Sequence, residues 1–183
     1  LRRLRPRGRL LDVGCAAGFF LAEAAVHYAV QGVELSEFAS RFARERFGLN
    51  VVTGTLHDAA YPDARFDLVT LWDVIEHVSD PRNFTRICSA MLKPEGLMFV
   101  ATISRTLKSF GLAIIGAEYI LGWLPKGTHH WEKFIKPEEL KIWLAENGLT
   151  INGETGVTYH PLANGWKRSR DMDVNYMLVA QKA

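Results

Sequence analysis

The sequence predicts an α/β domain built on a mostly parallel sheet with helices on both faces. Three observations carry that prediction. Short apolar runs alternate with helix-patterned segments through the first half of the chain. A turn of very small residues, Gly14-Cys15-Ala16-Ala17-Gly18, follows the first apolar run directly. The C-terminal region then changes rhythm, with two β-like stretches and no helix between them.

Leu10 to Val13 is apolar enough to be a strand buried on both faces. Phe19 to Tyr28 has helix-forming composition. Val30 to Leu35 is the second strand, with Glu34 at its end. Ser36 is an N-cap for a helix that carries Phe38 and Phe42 and stops at Gly48. Val51 to Thr53 and Phe66 to Trp72 are the third and fourth strands. Asp80-Pro81 opens a helix, with proline at its first position, that runs to about Leu92. Lys93 to Gly96 reads as a turn and Leu97 to Ile103 as the fifth strand. Pro137 opens a helix that closes at Gly148. Stretches near Thr150 to Thr158 and Val174 to Ala180 are expected to pair as an antiparallel hairpin with a long loop.

The 183 residues suffice for one domain with a sizeable core, and 48% hydrophobic with 23% charged residues excludes a disordered or fibrous chain. The net charge of +2 is unevenly placed, because Arg2, Arg3, Arg5, Arg7 and Arg9 crowd the start and leave the rest mildly acidic. Residues 1–9 read as a solvated, disordered leader or the stump of a longer protein, and residues 10–183 as the domain. No apolar segment of a secretory signal follows the arginines. No nucleic-acid partner is expected. Cys15 and Cys88 are too isolated for a disulfide framework or zinc site, which suits a reducing, cytosolic compartment.

The bare turn raises the chemical question. Between strand and helix it lets a ligand approach the backbone, with helix N–H groups close by. Gly14 and Gly18 allow close approach and positive φ. In an open parallel sheet, ligands bind where the strands end, and an acid about twenty residues on accepts hydrogen bonds from ribose hydroxyls. Glu34 stands there. The glycine spacing does not fit a dinucleotide fingerprint, and no lysine follows as in a phosphate loop.

Asp12-Val13-Gly14-x-Ala16-x-Gly18, together with Glu34, Asp67 and "LKPEG" before the fifth strand, resembles the class I S-adenosylmethionine-dependent methyltransferases. That resemblance implies a Rossmann-like, mostly parallel seven-stranded sheet with an antiparallel C-terminal strand. It implies S-adenosylmethionine as methyl donor, held by Asp12, Gly14, Cys15, Gly18 and Glu34, with Leu56 near the adenine and Trp72 packing near the cofactor. Beyond Val100, "GAEYIL", "PKGTH", "KFIKPEEL" and "DVNYMLVAQ" are similar to the ubiquinone-biosynthesis O-methyltransferases, which methylate catechol-type polyprenyl intermediates. The chain departs from that family at Ala16 and Ala17, where it has glycines, and at Ser104 and His160, where it has asparagine. Methyl groups at 16 and 17 would crowd a cofactor if φ there is positive. The family also has an N-terminal helical segment over the cofactor, whereas this chain starts nine residues before its first strand.

"WDVIEHV", Trp72 to Val78, follows the fourth strand. If it is helical from Asp73, the i, i+3, i+4 spacing puts Asp73, Glu76 and His77 on one face. Two carboxylates and an imidazole could hold a divalent ion with open positions. By resemblance this is the family's Mg²⁺ site, with the same three residues catalytic. His77 could instead take the phenolic proton directly, and a metal-free methyltransferase of another small molecule is the alternative enzyme reading. A non-catalytic cofactor-binding subunit of a biosynthetic complex is the reading from another class.

Leu107 to Leu124, within an apolar insert at 107–126, is too short for a membrane span and contains Glu118. Its flanking Lys108 and Lys126, with Tyr119 and Trp123, suit a helix in a membrane interface or over an apolar pocket, or else a core helix. His129 and His130 could line the pocket or satisfy a turn. The resemblance implies a substrate that is an aromatic with an apolar tail. The expected location is cytoplasmic, on the inner membrane face, in contact with a ubiquinone-biosynthesis complex.

Overall fold

The sheet is built outward from β1 (Arg9–Val13), which pairs in parallel with β2 (Ala29–Glu34) on one side and β4 (Phe66–Trp72) on the other. The computed structural model describes residues 1–111, 131–160 and 165–183. β3 (Val51–Thr53) continues the parallel part beyond β2, and β5 (Leu92–Ile103) beyond β4. Past β5 the direction reverses. β8 (Asn175–Lys182) is antiparallel to β5, β6 (Leu149–His160) to β8, and β7 (Gly165–Ser169) to β6. The resulting order is β3-β2-β1-β4-β5-β8-β6-β7.

Among the described residues eight strands stand where the sequence predicts seven. The extra one, β7, lies inside the long loop of the expected C-terminal hairpin. "GWKRS" is hard to read as a strand because it carries little apolar alternation. Its exposed Lys167 and Arg168 are the charged residues that keep an edge strand from pairing further.

Helices α1 (Phe19–Ala24) and α2 (Glu37–Phe47) cover one face; α3 (Leu56–Ala59), α4 (Pro81–Met91) and α6 (Pro137–Glu146) cover the other. The adjacent Leu10 and Leu11, both wholly buried, enter opposite halves of the core. Leu10 packs with Leu21, Ala43 and Leu68, and Leu11 with Val69, Met98 and Leu140. Each such side chain stabilises the fold by about 1.5–3 kcal/mol, which explains why the central strands read as unbroken apolar runs.

The caps act where the sequence puts them. The Ser36 hydroxyl accepts from the Ala39 N–H at 3.2 Å, and Gly48 closes α2 at φ +64°. Asp80 caps α4, with Pro81 at its first position. Two boundaries differ by more than two residues. α1 ends at Ala24 rather than Tyr28, because the chain turns to bury Tyr28 and let its hydroxyl donate to the Arg5 carbonyl at 2.6 Å. β5 begins at Leu92 rather than Leu97. The expected turn is instead part of the strand, across a register shift, with Lys93 Nζ 2.9 Å from the Asp67 carboxylate on β4.

The arginine-rich start lies against the sheet. Leu1 packs on one half of the core, and Arg5 donates to the Glu95 carbonyl. At the other end of the sheet, α5 (Leu107–Ser109) is a single turn. Residues 112–130, which hold the rest of the apolar insert with His129 and His130, lie outside the described residues. The chain comes back beside its point of departure, where the Trp131 indole N–H donates to the Thr106 carbonyl at 3.0 Å. Among the described residues no helix is long and apolar enough to cross a membrane.

Tyr176, wholly buried on β8, donates its hydroxyl to the Ile135 carbonyl at 2.9 Å. Replacing it by phenylalanine leaves that carbonyl unpaired. Tyr176→Phe is therefore expected to cost about 1–2 kcal/mol, read as a lower urea midpoint at unchanged slope.

Candidate active site

The strand tips of β1, β2 and β4 converge on the turn Gly14–Gly18. Gly14, at φ +73°, passes directly under Val74: a Cβ built on it would lie 2.5 Å from Val74 Cγ2. Gly18, at φ +79°, opens α1 against α2, with the same hypothetical atom 2.8 Å from the Ala43 Cβ. Both glycines thus serve close approach as well as backbone shape. Ala16 also sits at positive φ, +47°, a conformation costing an alanine roughly 1–2 kcal/mol.

Glu34 closes this turn. Its Oε2 accepts from the Ala16 N–H and its Oε1 from the Ser36 N–H, each at 2.8 Å. A carboxylate has about four lone-pair sites, so each oxygen keeps capacity for a ligand hydroxyl. The turn's N–H groups are less available than the sequence suggests. Those of Gly14 and Cys15 go to the Val33 carbonyl and that of Gly18 to the Cys15 carbonyl. The turn therefore offers a ligand a bare, closely approachable surface rather than a row of donors.

Asp12 lies beneath, buried, with Thr70 Oγ1 donating to it at 2.6 Å. Burial pushes its carboxyl up to about 7, the Thr70 hydrogen bond opposes that rise and the neighbouring Glu34 charge adds to it. Cys15 is buried as well, and its thiol is pushed up to about 12, chiefly by that burial. It stays protonated and fills space. Leu56 is buried in the core. Trp72 packs edge-on against Phe20, ring centroids 5.3 Å apart, and its buried indole N–H has no hydrogen-bond partner among the described residues.

The stretch after β4 corrects the sequence reading. Asp73 is not helical: it takes φ +52° and donates its N–H to the Ala101 carbonyl at 3.0 Å. Only Ile75–His77 forms a helical turn, of the 3₁₀ type. Glu76 points inward, 3% exposed, and accepts from Thr102 Oγ1 at 2.7 Å. Burial pushes it up to about 7, against the donors that favour its charged form. Asp73 and His77 are exposed. Asp73, Glu76 and His77 therefore do not share one face, and no group of three or more such ligands is gathered among the described residues. The residues present do not fit the expected three-ligand Mg²⁺ site.

Sequence reasoning missed Thr70, Thr102 and Val74. The two threonines left a signal: each is a hydroxyl inside an otherwise apolar strand, "FDLVTLW" and "FVATI", where it requires a buried partner. Beside the 75–78 turn, a cavity of about 260 Å³ is walled by Ile75, Val78, Phe134, Ile135 and Trp143, with Arg105 at its edge; none of the Gly14–Gly18 turn lines it.

Comparison with known proteins agrees with this layout. The model of the methyltransferase domain family matches residues 1–152. The chain is 44% identical over 181 residues to a ubiquinone biosynthesis O-methyltransferase of Bartonella tribocorum, covering 96% of this chain and 73% of that protein. It is 47% identical over 180 residues to the protein of that name in Brucella anthropi, covering 95% and 73%. Among solved structures, a SAM-dependent methyltransferase of Thermotoga maritima shares the fold with a TM-score of 0.72 at 19% identity, covering 100% of this chain and 86% of its own.

The buried Asp12 makes stability depend on pH. Its carboxyl is raised from 3.8 to about 7, so the folded state binds the proton more tightly than the unfolded one. The resulting stabilisation is full below about pH 4 and is lost as pH climbs to about 7, by at most about 4 kcal/mol. Asp12→Asn is expected to shrink the fall in melting temperature between pH 5 and pH 8, with Glu76 supplying the residual slope. An unaltered pH slope in the variant would contradict the assignment.

Proposed function

We propose how this chain, which belongs to the methyltransferase domain family and within it to the ubiquinone biosynthesis O-methyltransferases, uses the crevice at its strand tips. The reaction is transfer of a methyl group to one hydroxyl of a catechol that carries an apolar polyprenyl tail. S-adenosylmethionine, bound in the crevice, supplies a methyl carbon activated by its positive sulfur. Glu34 accepts from the ribose hydroxyls with the lone pairs that Ala16 and Ser36 leave over. Gly14 and Gly18 keep the approach to the backbone clear. Trp72 and Phe20 wall the tip of β4.

The observation that carries this reading is the contact of Val74 with Gly14. It brings the start of the segment that leads to His77 against the Gly14 turn, which supports a role for His77 beside the cofactor. A phenol ionises near pH 10, about three units above neutrality, which adds about 4 kcal/mol to the barrier if the proton is not taken up. His77 accepts that proton. The freed electron pair on oxygen forms the new bond to the methyl carbon as the carbon–sulfur bond breaks, and the sulfur leaves as a neutral thioether. His77 then returns its proton to water. A positioned base of this kind contributes about 10²–10⁴ in rate.

For the tail, the apolar composition of residues 107–124 supports shelter or contact with a membrane surface. On that reading the protein works at the cytoplasmic face of the inner membrane, beside the other enzymes that process the same tailed intermediates.

Transfer of labelled methyl groups from S-adenosylmethionine to a prenylated catechol is the direct test. One methyl per ring is expected. His77→Ala should lower kcat by about 10²-fold or more while KM for the donor stays within twofold. A folded, donor-binding protein that methylates no catechol would overturn the reading and leave a non-catalytic subunit.

A further inference from the structure

Thr102 is nearly fully buried near the end of β5, on the face where Met98 and Val100 are core residues. The alternation of the strand asks for another apolar side chain there. A hydroxyl stands in its place, and its hydrogen bond runs to Glu76, itself 3% exposed, at 2.7 Å. A carboxyl group this deep is costly unless its oxygens are bonded, and a half-satisfied pair is worse than an apolar one. The sequence therefore keeps two mutually dependent polar groups in a position where valine would pack.

Glu76 directly precedes His77, and the two lie in one 3₁₀ turn whose His77 N–H donates to the Val74 carbonyl at 2.9 Å. The segment from Asp73 to His77 is tied to β5 by the Asp73 N–H, which donates to the Ala101 carbonyl, and by Thr102, which donates to Glu76. The first tie is backbone and survives any substitution at 102. The second is the side-chain tie: beside the Glu76 backbone N–H, which also donates to the carboxylate, Thr102 is the donor that comes from the sheet and holds Glu76 inward.

We propose that Thr102 is a positioning residue for methyl transfer, holding Glu76 inward so that His77 is presented to the substrate hydroxyl. The proposal rests on the reading of His77 above. Without the Thr102 donor, the Glu76 carboxyl is buried with a lost partner and the turn gains by rotating it toward water. His77 turns with it. Displacement of a reacting group by about 1 Å is enough to cost about 10²-fold. The cofactor turn, on the other side of Val74, is untouched.

The test uses the whole chain, S-adenosylmethionine and a prenylated catechol. Thr102→Val, which keeps the volume and removes the donor, should lower kcat about tenfold or more, leave KM for the methyl donor within twofold and shift melting little. Thr102→Ser, which restores the donor, should recover kcat to within about threefold. In a Glu76→Ala background, Thr102→Val should have no further effect, because the two act through one bond. Should valine fail to fold, Thr102→Ala is read in its place in both backgrounds. Wild-type kcat in the valine variant, an unrescued loss in the serine variant, or losses that multiply in the double variant would each overturn the proposal. A wild-type protein inactive on every catechol would instead overturn the function assigned to His77.

Discussion

The site depends on one carboxylate shared between two backbone segments. Glu34 reaches from the end of β2 to the N–H of Ala16 in the glycine turn and to that of Ser36 at the start of α2. Hydrogen bonds to an ionised acceptor are worth about twice neutral ones, so this pair holds the turn in a shape its own residues resist. Ala16 at positive φ is the strained member. The same acid that would grip a ribose thus also shapes the floor on which the nucleoside rests.

Beneath that floor the protein repeats one device. Thr70 on β4 donates to Asp12, and Thr102 on β5 donates to Glu76. Both acids are buried, and burial raises both to about 7. One pair lies under the Gly14–Gly18 turn, the other under the turn of His77. Each places a short, stiff, β-branched donor in the sheet under an acid that supports a loop. The loops at the strand tips are thereby fastened from inside, by groups that are almost wholly buried.

Much of this was legible in the residues. β4 was readable because "FDLVTLW" is apolar on both faces, and α2 because Ser36 and Gly48 are unambiguous caps. The resemblance to ubiquinone-biosynthesis O-methyltransferases, carried by "GAEYIL" and "KFIKPEEL", agrees with the similarity found over nearly the whole chain. The segment from Asp73 to His77 was misread for a physical reason. A helical face needs several consecutive α-helical residues, and Asp73 takes a left-handed conformation that spacing cannot announce. β7 was missed because an edge strand displays charge rather than alternation. The pairings of Thr70 and Thr102 were hinted at by polarity within apolar strands, but their partners are set by tertiary contact.

Glu34 is proposed to join the shape of the turn to the binding of a nucleoside. Calorimetric titration with S-adenosylhomocysteine, comparing wild type with Glu34→Gln at matched thermal stability, tests it most directly. Losing hydrogen bonds from ribose hydroxyls to a charged acceptor costs about 1.5–3 kcal/mol, so the account predicts one site per chain in the wild type and an affinity weakened about ten- to hundredfold in the variant. Equal affinity in the two proteins would contradict it.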